Sequence, residues 1–463
     1  MREILNKLID EITDFRSNCK DLSVVPEVEP GEIRDFLTSK YDLINPVPID
    51  EVFSDIKYMM RKWSLHVTHP RYFGLFDPQV TLPSIIADTL TALYNPQLAS
   101  WSHAPAANEI ERFTLNFLLE IFGMDSKAGF ANFTTGGAES NLTAVLLALT
   151  AKFPEYADSG LRGLKAQPVF YVSKETHHSF NKIAHITGLG RNAVRIVDAD
   201  NNLKLDAYKL KQAVQSDIKH GFRPFLVVGT AGTTSAGTID PLEDIADICS
   251  EYDLWFHVDA AWGGAAVLVP EYREYFNGIE RADSITCDAH KWFSVSMGAG
   301  MFFTRDKRNA LETFRIKAGY MPDKTNEAVD FYTSTIQWSR RFIGLKLFMT
   351  LAVLGEKGIR KMIREQIVLG KKLRKKLADD GWVIVNKTPL PVVCFTHPRI
   401  ERGELKTSDI ISAVYKIGKS WISETVLGTG RHVLRACITN YETMEEDISF
   451  LITQLKEIIE TSS

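Results

Sequence analysis

Between about residues 85 and 305, short apolar runs alternate with stretches of helical period, and this pattern narrows the possible folds more than any other feature of the chain. The runs are Val169–Val172, Val194–Val197, Phe225–Val228, Leu254–Val258, Ser284–Thr286 and Gly300–Phe303. Several are apolar at consecutive positions. A strand wetted on one face alternates instead, so continuous runs predict strands covered on both faces by crossover helices. The expected fold is therefore α/β, with a mainly parallel central sheet. Such sheets gather ligands at the C-terminal ends of their strands, so the residues just after each run are the ones to examine for chemistry.

On either side the pattern changes. Ile4, Leu5, Leu8, Ile9, Ile12 and Phe15 share one helical stripe, which must pack on its own chain or on a partner. The prolines of Val24–Gly31 end that helix. After Gly344–Leu354, a further helical stretch, come the runs Trp382–Val385, Val392–Phe395 and Val433–Ile438 and a closing helix from about Met444. The expected organisation is an N-terminal helical segment (1–75), a large α/β domain (76–345) and a smaller C-terminal α+β domain (346–463). Hydrophobic residues at 45% and charged residues at 24% suit a globular chain with a large core. A net charge of −4 gives no reason to expect nucleic acid or an anionic membrane as partner. No run of about 18 apolar residues predicts a membrane span, and no apolar leader is visible at the N-terminus. Five scattered cysteines without a C-x-x-C pair argue against a disulfide framework and a zinc site, so no metal is expected. These features suit a cytoplasmic enzyme that handles a small molecule.

Four segments carry chemistry. In Phe133-Thr-Thr-Gly-Gly-Ala-Glu-Ser-Asn141 two glycines precede an evident helix, and a helix start with close backbone access is a site for a phosphate; a plain structural turn reads the same way. In Leu254-Trp-Phe-His-Val-Asp-Ala-Ala-Trp-Gly-Gly264, Asp259 ends a buried strand, where a carboxylate needs a cation or several donors; a capping Asp is the bland alternative. In Ser284-Ile-Thr-Cys-Asp-Ala-His-Lys-Trp292, Lys291 ends another strand 32 positions after Asp259, one βαβ step away. An acid and an amine thus meet at one sheet edge, and a lysine there becomes nucleophilic when desolvated or beside positive charge. In Tyr171-Val-Ser-Lys-Glu-Thr-His-His-Ser179, either His177 or His178 follows a strand end and could lie flat on an aromatic ligand. A phosphate cradle, an acid for a pyridine nitrogen, an imine-forming amine and a flat ring are the protein groups that pyridoxal 5'-phosphate (PLP) requires.

With these residues in view, the chain resembles the PLP-dependent decarboxylases of the aromatic-amino-acid, glutamate and diaminobutyrate type. The resemblance runs from His69-Pro-Arg-Tyr-Phe73 through Trp101-Ser-His-Ala-Pro-Ala-Ala-Asn-Glu-Ile-Glu111 to Arg435, and its most specific pieces are His257–Ala261 and Asp288–Trp292. It implies the aspartate-aminotransferase-like fold (fold type I) and a homodimer whose N-terminal segment wraps the partner, with active sites at the subunit interface. It further implies that Lys291 carries the cofactor, that Asp259 pairs with the pyridine nitrogen and that His177 stacks on the ring. Gly137 and Ala138 would donate N–H groups to the phosphate, Thr234 would sit near the ring, and His290 would contact cofactor and reaction centre.

The family protonates its product carbanion with a loop tyrosine. The matching stretch, Asp330-Phe-Tyr-Thr-Ser-Thr-Ile-Gln-Trp-Ser-Arg-Arg341, places Phe331 there in a gap-free comparison and Tyr332 one residue on. Tyr332 is favoured as the functional residue, although phenylalanine at that position is associated with relatives that release an aldehyde. Leu75 and Ala99 stand where aromatic-amino-acid decarboxylases tend to carry aromatic side chains, and Pro78 replaces a hydroxyl residue. Tyr72, Phe73, Phe76 and Trp101 remain as candidate substrate lining, and Arg435 could take a substrate carboxylate bidentately or form an interdomain salt bridge. The expected reaction is decarboxylation of an L-amino acid to its amine. The rivals are an aldehyde synthase or carbon–carbon lyase of the same fold, and, in another class, a non-catalytic PLP-fold binding protein.

Overall fold

In a computed structural model, which describes residues 1–316 and 330–461, every predicted run of the central region is a strand of one sheet. The strands are β1 (Phe130–Thr134), β2 (Pro168–Ser173), β3 (Val194–Val197), β4 (Arg223–Thr230), β5 (Trp255–Asp259), β6 (Ser284–Asp288) and β7 (Gly300–Thr304). Their spatial order is β1-β7-β6-β5-β4-β2-β3. Pairing is parallel from β6 through β5, β4 and β2 to β3, whereas β7 runs against both of its neighbours. This is the mainly parallel α/β sheet expected of fold type I.

The consecutive apolar runs have a direct explanation. Val169, Tyr171 and Val227 join the core on one face of the sheet, while Phe170, Val172, Leu226 and Val228 join the core on the other. Side chains still alternate along each strand, but both faces are dry, so both sets must be apolar. β1 escaped the pattern because buried Asn132 interrupts it; its amide donates to the Phe133 carbonyl at 3.1 Å.

Because β1, β2, β4, β5 and β6 point the same way, Thr134, Ser173, Thr230, Asp259 and Asp288 end at one edge. β7 begins at that edge with Gly300, which pairs with Thr134 on one side and Asp288 on the other. A Cβ on Gly300 would overlap Thr134 Oγ1 and lie 2.6 Å from Gly136 Cα, so this crossing requires glycine.

The helix Leu345–Asp379, broken at Gly355 (φ 65°), leads to a second, antiparallel sheet. It contains β8 (Val383–Ile384), β9 (Val392–Thr396), β10 (Ser423–Val426) and β11 (His432–Cys437), in the order β10-β11-β9-β8. The closing helix is Glu445–Thr461. The segment around Phe73 threads between the two sheets: Phe73 N–H donates to Trp421 O, and Phe73 O accepts from Cys437 N–H, each at 2.9 Å. The N-terminal helix Arg2–Asn18 has no buried residue, and Leu5 and Ile9 of its apolar stripe are 50% and 59% exposed.

One buried ion pair ties the helix Pro105–Ile121 to the 330–341 stretch. Arg340 Nη1 lies 2.6 Å from Glu111 Oε2, with both side chains almost fully buried, and Glu111 Oε1 accepts from Gly344 N–H at 2.8 Å. Glu111→Ala would leave the guanidinium buried and unpaired, at a cost of about 3–5 kcal/mol in chemical unfolding. Adding Arg340→Met should recover most of that loss; a single-mutant loss under about 1 kcal/mol would contradict the pair's assigned role.

Candidate active site

The one-turn helix Ala289–Trp292 starts where β6 ends, and this turn folds Lys291 back over Asp288. Lys291 Nζ lies 3.0 Å from Asp288 Oδ2 and 5.7 Å from the centre of the Phe76 ring. Burial works against the ammonium, but Asp288, with Asp259 beyond it, outweighs burial, so Lys291 is held above the ordinary lysine value. His290, buried beside the pair, is held below the ordinary histidine value, chiefly by that burial. Its Nδ1 accepts from Ala299 N–H at 3.2 Å.

Asp259 ends the neighbouring strand and is 5% exposed. Its Oδ1 accepts from Ala261 N–H at 3.1 Å and its Oδ2 from Asn141 Nδ2 at 2.9 Å. Asn141 Oδ1 faces His257 Nε2 at 3.0 Å, and His257 Nδ1 faces the Ser284 hydroxyl at 2.9 Å. Complete burial holds the His257 imidazole down to about 4, so the ring is neutral at pH 7. All these contacts are satisfied together when the proton sits on Nε2 and the Ser284 hydroxyl donates to Nδ1. A buried chain of hydrogen bonds therefore runs from Ser284 through His257 and Asn141 to Asp259, fixing the carboxylate's orientation.

Across the cavity the helix Gly137–Lys152 begins two residues after β1. Glu139 and Ser140 N–H groups turn back to the Gly136 carbonyl at 3.0 and 3.2 Å, while Gly137 and Ala138 line the cavity. A Cβ on Gly137 would come to 3.0 Å from Asp288 Oδ2 and 3.2 Å from Ala261 Cβ, so glycine preserves room at the helix start. His177 lines the cavity wall, whereas His178, the residue at the start of the helix Ser179–Ile186, does not. Thr230, Gly232, Thr234, Ala261 and Trp262 complete the lining. Behind it the indole of Trp262 stacks between Phe76, with ring centres 4.4 Å apart, and Trp292, at 4.9 Å.

The remaining candidates fall elsewhere. Arg435, on β11, is 2% exposed and lies 5.0 Å above the Phe76 ring. Its Nε donates to Thr234 O at 2.9 Å and its Nη1 to Gly74 O at 2.7 Å, while Nη2 has no hydrogen-bond partner among the described residues. Among the described residues it forms neither a salt bridge nor an open fork, and its buried Nη2 is left unpaired. Phe73 is fully buried in the core of the second sheet and does not line this cavity, because its backbone is pinned between Trp421 and Cys437. Tyr72 packs on Trp421 at 5.0 Å, and its hydroxyl accepts from Leu75 N–H at 3.3 Å. Trp101 Nε1 donates to Glu109 at 2.9 Å, and Tyr332 N–H donates to Ala99 O at 3.1 Å. Neither Trp101 nor Tyr332 is among the residues that line the cavity formed by their own chain. Phe331 is packed on Phe130 and under the Arg340 guanidinium.

Asn141, His257 and Asp288 were not among the expected site residues. Two signals in the sequence point to the first two. His257 precedes Asp259 by two on one strand and so shares its side, and Asn141 lies one turn into the helix that starts at the phosphate cradle.

The cavity matches PLP group by group: free helix-start N–H groups for a phosphate, a braced carboxylate for a ring nitrogen, an amine for an aldehyde and an imidazole for a ring face. Fold and site together define a fold type I PLP enzyme. Residues 30–397 match the model of the pyridoxal-dependent decarboxylase conserved domain, and the chain belongs to that family. Tyrosine decarboxylase 2 of Narcissus pseudonarcissus is 30% identical over 97% of this chain and 91% of its own. Phenylacetaldehyde synthase of Arabidopsis thaliana is 28% identical over 95% of this chain and 91% of its own. The solved structure of Oryza sativa TDC with PLP and tryptamine superposes with a TM-score of 0.93 at 25% identity, covering 100% of this chain and 98% of that one. The protein is a PLP-dependent amino-acid carboxy-lyase. No helix among the described residues is long and apolar enough to cross a membrane.

Asn141→Ala should leave the fold intact but weaken the cofactor by about tenfold, since Asp259 Oδ2 and His257 Nε2 each lose a buried partner. Spectroscopic titration of the imine band measures this; an unchanged affinity would contradict the bracing role.

Proposed function

We propose that this carboxy-lyase releases an amine and CO2 from an L-amino acid, with Lys291 as the lysine that carries the cofactor. The observation that supports this most is Lys291 and the braced Asp259 meeting across one cavity whose far side is a helix start. When bound, PLP supplies the electron sink that makes loss of CO2 feasible. Asp259, held in aim by Asn141 and His257, would keep a proton on the ring nitrogen. His177 would cover one ring face, Gly137 and Ala138 would donate N–H groups to the phosphate, and Thr234 would sit near the ring. Lys291 would supply the amine that holds the cofactor's aldehyde end, at the place the substrate amine has to reach. The unpaired Nη2 of Arg435, beside Phe76, holds a substrate carboxylate through a single charge-assisted hydrogen bond.

Tyr332 delivers the proton to the substrate α-carbon, with His290 as the second donor within the site. Because Tyr332 and Trp101 do not line their own chain's cavity, they serve the site of a second copy. Leu5, Leu8 and Ile9 of the helix Arg2–Asn18 stay exposed although Phe15 packs on His66 of the same chain, and this bare half of the stripe supports the same dimer. Phe331 is held by Phe130 and Arg340, which favours Tyr332 for the loop role. Leu75 and Ala99 make the substrate side less aromatic than in the aromatic-amino-acid enzymes, with Tyr72 and Trp101 at its margin. All five cysteines are free and buried, which supports a reducing compartment and a cytoplasmic location.

Lys291→Ala should abolish both CO2 release and the imine absorption band; retention of either would overturn the assignment. Tyr332→Phe should lower amine formation by at least about 100-fold, the low end for loss of a general acid. A screen of amino acids for CO2 with amine, aldehyde or peroxide identifies the substrate. Aldehyde and peroxide from the wild-type protein would replace this reading with an aldehyde synthase.

A further inference from the structure

We propose that Asp288 is a positioning residue that holds Lys291 as an ion-pair partner whenever the lysine is not joined to the cofactor, so that breaking this pair limits cofactor loading. The inference rests on Lys291 being the cofactor lysine.

The pair is built by the backbone. Asp288 is the last residue of β6, and the single helical turn that follows returns Lys291 onto it at 3.0 Å. Asp288 is 2% exposed, and its Oδ1 has no hydrogen-bond partner among the described residues, so its charge is directed at the cavity with Lys291 as the near cation. His290 Nε2 is farther from the same carboxylate, at 3.8 Å, and its imidazole is held toward the neutral form by burial. Both carboxylate oxygens also face Gly137, at 3.0 and 3.5 Å from where its Cβ would lie, so Asp288 stands between the lysine and the phosphate cradle.

Other titratable groups surround Lys291. Asp259 faces it from β5, Cys287 from β6, His177 from the turn after β2 and Asp77 from the segment between the sheets. Arg435 lies beyond Phe76. Burial raises the Cys287 thiol, which is therefore uncharged. Among the described ion pairs, Asp288 is the partner recorded for Lys291.

Loading begins with the ammonium. It must release a proton to water before its nitrogen attacks the aldehyde carbon. The carbonyl oxygen then leaves as water, and the new C=N nitrogen takes up a proton again, so the overall charge of the site is unchanged. Asp288 is a counter-ion to the first state and to the last, and it opposes the neutral amine between them. A neutral residue of the same shape should therefore speed loading near neutral pH and make the finished imine easier to deprotonate.

The test compares wild type, Asp288→Asn and Asp288→Glu, first stripped of cofactor and then reloaded with PLP or with phosphate-free pyridoxal across a pH series. In Asp288→Asn the loading rate at pH 7 should rise about tenfold with both aldehydes, one unit of displacement being tenfold in free amine. In the loaded Asp288→Asn protein, the pH at which the imine band changes should fall by a similar interval. Asp288→Glu should keep the wild-type profiles. Coincident profiles in wild type and Asp288→Asn would overturn the proposal. So would acceleration with PLP alone, which would mean that Asp288 acts by repelling the phosphate. A glutamate variant that behaves like the asparagine one would also overturn it. Persistence of the band in Lys291→Ala would instead overturn the functional reading on which this rests.

Discussion

The parallel pairing of β4, β5 and β6 is the constraint on which the rest of the site depends. Parallel strands end at one edge, so a side chain placed last on each meets its counterparts without a loop to carry it. Asp259 and Asp288 occupy those last positions on β5 and β6, and Lys291 is one turn farther on. Loss of the pairing would separate the acid from the amine even with every residue retained. The antiparallel β7 serves the same edge: Gly300, without a side chain, lets β1 and its helix start come close to β6.

Burying charge at such an edge is costly, and the structure offsets the cost in two different ways. Asp259 is met by neutral donors, Ala261 N–H and the Asn141 amide, and the second of these is held by a histidine that burial keeps uncharged. A carboxylate satisfied in this manner keeps lone pairs for a cation arriving in the cavity. Lys291 is met by a full charge, Asp288. The first arrangement aims a group at a ligand; the second restrains a group until a ligand takes it. Aromatic packing of Phe76, Trp262 and Trp292 closes the floor beneath both, and Arg435 lies on the far face of Phe76.

Much of this was legible in the sequence because burial on both faces leaves a plain mark. Strands β2 to β7 read as apolar runs, and their last residues included Asp259. The turns after them supplied Lys291 and His177, and the geometry distinguishes His177 from His178 by which of them lines the cavity. What could not be read was either too short or too exposed to leave a pattern, or set by partners distant in the sequence. β1 is short and interrupted by Asn132, β10 is half-exposed and therefore mixed in composition, and neither has a local signature. Phe73 is aromatic, lies within a family-like motif and resembles a lining residue, but backbone bonds to Trp421 and Cys437 commit it to the other core. Arg435 reads as a free guanidinium until Thr234 and Gly74 carbonyls are seen to take two of its donors. Those partners lie 201 and 361 positions away along the chain, beyond the reach of any periodicity.

The central claim is that Lys291 is the residue that binds the cofactor at this edge. Borohydride reduction of the loaded protein fixes the cofactor to its lysine, and peptide mass mapping then locates it. The account predicts the added mass on the peptide that carries Lys291. The same mass on any other lysine, with the Lys291 peptide unmodified, would contradict it.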